Sequence, residues 1–265
     1  ATPIPRSLAL TLYGELDVSI LNELPKNRLP IKTEIASPNS RAQTYVAIDN
    51  EISSGRQAYV ICTLIDDDPV NEKKSVETEY KKLSQSTFKH RSIGLLHGKM
   101  KSSEKEQVMR DFSEGRYDIL VSTTVVEVGV DVPNATVILI ENADHFGLSQ
   151  LHQLRGRVGR GVHQSYCYLM MSDSSRPTQR MREIARSNDG FYLAEVDLKL
   201  RGPGEVYGRA QHGALNLQIA TLADTKLMSR AQAEAKRFVA EGRDLIQYGE
   251  LAQTVNYYRR LTTLN

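Results

Sequence analysis

The chain has 265 residues, 40% of them hydrophobic, and 34 Lys and Arg stand against 32 Asp and Glu for a formal net charge of +2. That suffices for one large or two modest domains with a real core, and it excludes wholesale disorder and a uniformly basic tail. Cys62 and Cys167 lie far apart in apolar runs and encode neither a disulfide scaffold nor a zinc site.

No apolar run approaches the roughly 20 residues of a membrane helix, so a cytosolic (cytoplasmic) protein with no membrane partner is expected. The opening, ATPIPRSLALTLYGELD, lacks an initiator Met, which suggests that Ala1 is an internal point of a longer polypeptide. ELPKNRLP, ending at Pro30, reads as a proline-bounded connector. IKTEIA then predicts a first strand, and the spacing of Tyr45, Ile48 and Ile52 predicts a helix over 40–54, closed by Gly55. QAYVICTLI is too continuously apolar for a strand with one exposed face.

A polar, charged stretch over 66–90 follows, then SIGLLHG as a strand and a helix over 102–112. YDILVST, ATVILIE and SYCYLMM complete the strands. Apolar strands alternating with helical spans predict an α/β fold, a mostly parallel sheet covered on both faces, over 31–175. Beyond it, an arginine-studded segment over 176–187 predicts a helix. NDGFYLAEVDLKLRGPGEVYGRAQHG, rich in glycine, suggests an irregular arm. Residues 215–265 should be mainly helical, with apolar positions at Leu222, Leu227, Ala231, Ala235, Phe238 and Val239.

Three segments carry chemistry. In QLHQLRGRVGRG, glycines flank Arg157 and Arg160, so the backbone can turn tightly. Guanidinium groups stay charged and present fixed donors to phosphate oxygens. ILVSTTVVEVGVDVPNA places Thr123, Thr124, Glu127, Gly129 and Asp131 after an apolar strand. Hydroxyls and amides there suit phosphate contacts, and the Asp131 carboxylate can take a ribose hydroxyl or orient an arginine. HGKM adds His97 and Lys99 at another strand end. No histidine pair has metal-ligand spacing, so no metal site is expected. The chain also contains no G-x-x-x-x-G-K-[ST] loop and no strand ending in a paired acidic box. Phosphoryl transfer needs such a cradle and a metal as well as an arginine, so these residues read as half of an active site.

Taken in order, these motifs resemble those of superfamily 2 helicases, and the chain as a whole is similar to the carboxy-terminal part of the RecG family. ATPIPR resembles motif III, QAYVICTLI motif IV, ILVSTTVVEVGVDVPNA motif V and QLHQLRGRVGRG motif VI. The arm resembles the translocation motif shared by RecG and the transcription-repair coupling factor Mfd. The resemblance implies a RecA-like parallel sheet over 31–175, preceded over 1–30 by the end of a first motor lobe and a linker. A helical hairpin and translocation motif would occupy 176–214, and a small helical region 215–265.

It implies further that Gln153, Arg157 and Arg160 face ATP across an interlobe cleft, with Arg160 as the arginine finger. Glu127, Gly129 and Asp131 would lie on the nucleotide side. Thr123, Thr124, His97, Lys99, Arg176, Arg180, Arg201, Arg209 and Gln211 would lie on the DNA and coupling side. ATP and Mg2+ would be held mainly by the first motor lobe. The partners implied are forked or branched double-stranded DNA, that lobe and an upstream wedge, and single-stranded DNA-binding protein. Where the family pattern reads G-T-R-Q, this chain has Gly208-Arg209-Ala210-Gln211, which leaves the donor at that place open. Arg155 is expected to brace the loop through an ion pair. Two other readings stay open, an Mfd-like coupling motor and a free-standing nucleic-acid-binding module.

Overall fold

The computed structural model describes residues 28–62, 69–124, 131–201 and 225–262. Motif III, Glu127, Gly129, Arg209 and Gln211 lie outside them. The described residues fall into two compact units, one ending at Asp197 and the other beginning at Leu198.

The first unit is built on six strands: β1 (Lys32–Ala36), β2 (Gln57–Ile61), β3 (Ile93–Leu96), β4 (Ile119–Ser122), β5 (Ala135–Ile140) and β6 (Tyr166–Met170). They form one sheet in the order β1-β6-β5-β2-β4-β3, and all five pairings are parallel. Strand β2 is buried at every position, as its unbroken apolar run requires. Alternate residues feed two cores. Tyr59, Ile61, Ile138 and Ile140 join one, while Ala58, Val60, Val137 and Leu139 join the other.

Helices cover both faces. Helices α1 (Arg41–Ser53) and α2 (Pro69–Lys82) lie over the second core, which takes Tyr45, Ile48, Ile52 and Val76. Over the first core lie α3 (Ser102–Ser113), α4 (Leu148–Arg155), α5 (Gln179–Arg186) and α6 (Gly190–Arg201). The polar stretch over 66–90 thus contributes a full helix, because Val76 and then Leu83 give it a fully buried side.

Helix α6 opens the stretch that its glycines alone would make irregular, and a helix there agrees with the helical arm region that the resemblance implies. Asp189 starts it, its carboxylate accepting from the N–H groups of Phe191 at 2.9 Å and Tyr192 at 3.3 Å. Leu193, Ala194, Asp197 and Leu198 supply its buried stripe. The rest of the arm lies outside the described residues.

In the second unit, α7 (Thr225–Ala240) and α8 (Gly249–Thr262) are joined by a turn through Gly242 at φ +63°. Phe238 and Tyr248 meet edge to face at 5.2 Å. Leu227 and Val239, read as apolar helix positions, are 46% and 77% exposed.

Candidate functional site

The first unit sorts the predicted residues onto two opposite edges of the sheet. Because every strand runs the same way, all carboxyl ends share one edge and all amino ends the other. The HGKM segment follows β3 and the paired threonines follow β4, so they share the carboxyl edge. The loop after α4, carrying Arg157 and Arg160, sits at the amino edge. It packs against Ile31 just before β1, Pro133 just before β5 and Ser165 just before β6. Motif V links the two edges, leaving Thr123 at one and delivering Asp131 to the other.

At the amino edge, α4 begins where the Gly147 N–H donates to the Gln150 amide oxygen at 3.0 Å, and Leu148, Leu151 and Leu154 fix its buried face. The following loop is tightly constrained. Gly159 adopts φ +74°, and a β-carbon there would lie 2.8 Å from Ile31 Cγ1. Its N–H donates to Ser165 Oγ at 3.1 Å, and its carbonyl accepts from Arg28 Nε at 2.7 Å. Gly161 is held as closely, since a β-carbon would come within 2.6 Å of the Pro133 carbonyl oxygen.

This scaffold gives the three arginines three different environments. Arg160 is half-buried; its Nε donates to the Gly156 carbonyl at 3.0 Å and its Nη1 lies 3.5 Å from Asp131 Oδ1. The carboxylate of motif V and the last arginine of motif VI, 29 residues apart in sequence, therefore meet in space. Arg157 is also half-buried, and among the described residues its Nε is buried without a hydrogen-bond partner. Beneath them lies Tyr59, whose phenol burial pushes up to about 12, with the Arg160 and Arg157 charges pulling it back. Gln153 is half-buried one turn before Arg157.

Arg155 departs from the expectation. It is only 2% exposed and makes no ion pair among the described residues. Its Nη1 donates to the carbonyls of Ile184 at 2.6 Å and Ser187 at 2.9 Å and to Thr33 Oγ1 at 3.3 Å. Its Nη2 lies 3.2 Å from His152 Nδ1. The brace consists of hydrogen bonds because the last carbonyls of α5 lack intrahelical partners and receive the guanidinium instead. Burial lowers the Arg155 pKa. Burial and the Arg155 charge together bring His152 down to about 4, so its ring is neutral and accepts at Nδ1.

At the carboxyl edge, His97 and Thr123 are neighbours, since the Thr123 N–H donates to the Leu96 carbonyl at 3.3 Å. Both are buried, at 8% and 1% exposure, and both carry an orphan among the described residues: His97 Nδ1 and Thr123 Oγ1. Buried polar groups without partners are rare, and here two lie side by side at one sheet edge. Thr124 beside them is half-buried and Lys99 is exposed.

The same edge holds a pair that sequence reasoning missed. Arg41, opening α1, grips the buried Glu141 after β5 with Nη1 at 2.5 Å and Nη2 at 2.9 Å. Nothing in the local pattern marks residues 100 positions apart as partners. Arg176 and Arg180 are exposed, before and on α5, and Arg201 ends α6. Among the described residues no group of three His, Cys, Asp or Glu can hold a metal ion. No described helix is long and apolar enough to cross a membrane.

Comparison with known proteins fits this arrangement. Residues 42–162 match the profile of the helicase conserved C-terminal domain, and residues 187–263 match that of ATP-dependent DNA helicase RecG, domain 3, C-terminal. The chain therefore consists of C-terminal helicase domains of the superfamily 2 type. Within that class it belongs to the bacterial RecG family. It is 47% identical over 264 residues to ATP-dependent DNA helicase RecG of Synechocystis sp. (strain PCC 6803), covering 98% of this chain and 32% of that protein. It is 47% identical over 242 residues to RecG of Bacillus subtilis (strain 168), covering 91% and 36%.

Among solved structures, RecG bound to a three-way DNA junction aligns with TM-score 0.66 at 45% identity, over 86% of this chain and 30% of that one. The chain spans about a third of the length of these relatives.

Proposed function

We propose that this chain is the second motor lobe and translocation arm of an ATP-dependent double-stranded DNA translocase that remodels stalled forks and branched DNA in recombination and repair in the bacterial cytoplasm. The observation that carries the reading is the division of the sheet into two edges. Arg157 and Arg160 lie at one, and the orphaned polar groups of His97 and Thr123 lie at the other. A motor that links hydrolysis to movement along a strand needs both contacts, separated and rigidly connected.

At the amino edge, ATP with Mg2+ would be presented by the first motor lobe of the longer polypeptide, which would also carry the wedge. ATP supplies the phosphoanhydride whose cleavage drives the cycle. Arg160 then acts as the finger. Its contact with Asp131 is long and solvent-exposed, worth at most about 1 kcal/mol, so the guanidinium can exchange it for phosphoryl oxygens at little cost. Arg157 brings a second permanent charge with a donor unused among the described residues, and Gln153 offers an amide one turn earlier. At the carboxyl edge, His97, Thr123, Thr124 and Lys99 can receive a DNA phosphate, while the exposed Arg176 and Arg180 add positive charge before and on α5. Single-stranded DNA-binding protein is a further partner of the whole enzyme in this reading.

The test is hydrolysis of ATP by the longer polypeptide, with and without forked duplex, beside this chain alone. The extended protein should be strongly stimulated by DNA and the short chain silent. Arg160→Ala in the extended protein should lower kcat roughly 10³-fold or more while DNA binding persists. Near-normal hydrolysis by that variant would refute the finger, and comparable hydrolysis by the short chain would refute the half-site reading.

A further inference from the structure

We infer that Arg28 is a positioning residue, which reaches from the proline-bounded connector to fix the peptide unit that carries the finger Arg160. The inference rests on the motor reading above and adds a residue to it.

The fold lays the end of the connector against the motif VI loop. Strands β1 and β6 pair in parallel with Lys32 beside Tyr166, so the residues before β1 meet those before β6. Ties follow outward from the sheet. The Lys32 N–H donates to the Ser165 carbonyl at 3.0 Å, and Gln164 Nε2 donates to the Pro30 carbonyl at 2.8 Å. Ile31, packed on the first core, presses on Gly159 so closely that a β-carbon there would lie 2.8 Å from its Cγ1. Furthest out, Arg28 Nε donates to the Gly159 carbonyl at 2.7 Å, across 131 positions of sequence.

That acceptor has a particular leverage. The Gly159 carbonyl shares a planar peptide unit with the Arg160 N–H, so placing the oxygen also places the nitrogen and sets the direction in which Arg160 leaves the loop. Gly159 has no β-carbon and sits at φ +74°, which makes its ψ the soft torsion of the loop. Its N–H is held by Ser165 Oγ at 3.1 Å, which fixes one side of that torsion, and Arg28 fixes the other.

The Arg160 side chain is held more loosely than its backbone. Its Nε donates to the Gly156 carbonyl at 3.0 Å, and its Nη1 lies 3.5 Å from the exposed Asp131. The peptide unit therefore decides where the guanidinium stands, and a finger aimed at developing charge loses rate steeply when displaced.

The donor atom supplies the test. Arg28 is exposed, and it bonds through Nε, which is attached to Cδ, and not through the Nη atoms at its tip. A glutamine carries its amide nitrogen on Cδ as well. Arg28→Gln thus keeps an N–H at the same place along the side chain and loses the charge, while Arg28→Met loses both. If Arg28 acted by its charge, on a phosphate directly, the two variants would fall together.

The experiment is steady-state ATP hydrolysis by the extended polypeptide on forked duplex. Arg28→Met should lower kcat about tenfold and leave KM for ATP within about twofold, because the displaced group is used in the transition state. Arg28→Gln should stay within about threefold of the parent. Placed on top of Arg160→Ala, Arg28→Met should cost no more than about twofold further, since the group it positions is already gone. Gln164→Ala, which loosens the neighbouring tie at Pro30, should lower kcat about threefold and serves if Arg28→Met fails to fold.

A normal kcat for Arg28→Met would overturn the inference, as would equal losses in the glutamine and methionine variants, a rise in KM, or an undiminished loss on top of Arg160→Ala. Arg160→Ala alone tests the underlying reading. If it hydrolyses ATP at the parent rate, the finger assignment fails and the role of Arg28 fails with it. If it is slow while Arg28→Met is normal, the inference fails alone.

Discussion

Replacing Gly159 with alanine tests how the motif VI loop is held. Gly159 sits at φ +74°, in the left-handed region, where an L-residue loses about 1–2 kcal/mol. The added β-carbon would also lie 2.8 Å from Ile31 Cγ1 and 3.0 Å from its Cδ1. The Cδ1 methyl can swing aside, but Cγ1 is set by the stiff χ1 of a β-branched residue, so Ile31 itself must shift against the core it packs on.

Such overpacking costs about 1–2 kcal/mol. The loop cannot pivot freely to relieve it, because the Gly159 N–H and carbonyl are both engaged, by Ser165 and Arg28. The sum is about 2–4 kcal/mol, and for a unit of this size it lowers Tm by about 5–12 °C. Differential scanning calorimetry of this chain reads it directly. Gly156→Ala is the control: its φ is −67° and the nearest atom to a new β-carbon is the Gln153 carbonyl oxygen at 3.3 Å, so the change should stay within about 1 kcal/mol. A Gly159→Ala chain melting within about 1 °C of the parent would refute the geometry argued for the loop.

Other consequences follow from the buried charges. Arg41→Met strips the Glu141 carboxylate of its bidentate partner and should destabilise the first unit by about 2–3 kcal/mol in urea unfolding. Adding Glu141→Gln should recover part of that loss, and simple additivity of the two changes would disprove the coupling. His152 gives a pH dependence of defined sign. Its folded pKa of about 4 lies below the unfolded value of 6.5, so between those values the unfolded chain binds the proton and the folded one resists it.

The stability this group confers is complete above about pH 6.5 and is lost as pH falls through about 4. For a half-buried ring the loss should be about 1–2 kcal/mol after solvent screening. Tm measured from pH 7 to 4.5 should therefore fall more steeply for the parent than for His152→Gln, and parallel curves would sink the assignment.

Much of this protein follows from the order of its residues alone. The alternation of continuous apolar runs with helical spacing determined a doubly covered parallel sheet, because only burial on both faces tolerates a strand such as β2. The glycines of motif VI marked a tight loop, and Gly159 takes the left-handed φ of +74° that such a loop needs. Residue order also brought Asp131 under suspicion as a partner for an arginine, and the fold sets it 3.5 Å from Arg160.

Tertiary structure decided what local pattern cannot encode. Strand direction put the arginine loop and the His97–Thr123 pair on opposite edges, although both read alike as loops beside apolar strands. Three arginines at nearly equal spacing received unlike fates. Arg160 reaches the exposed Asp131, Arg157 keeps a donor unfilled among the described residues, and Arg155 turns into the core. Their sequence neighbourhood is the same, and only what packs around each differs. The grip of Arg41 on Glu141 and the bond from Arg155 to the end of α5 join residues far apart in the chain. Such pairs exist because the sheet brings its strand ends together, and a guanidinium taken from water must find acceptors wherever the fold has left them.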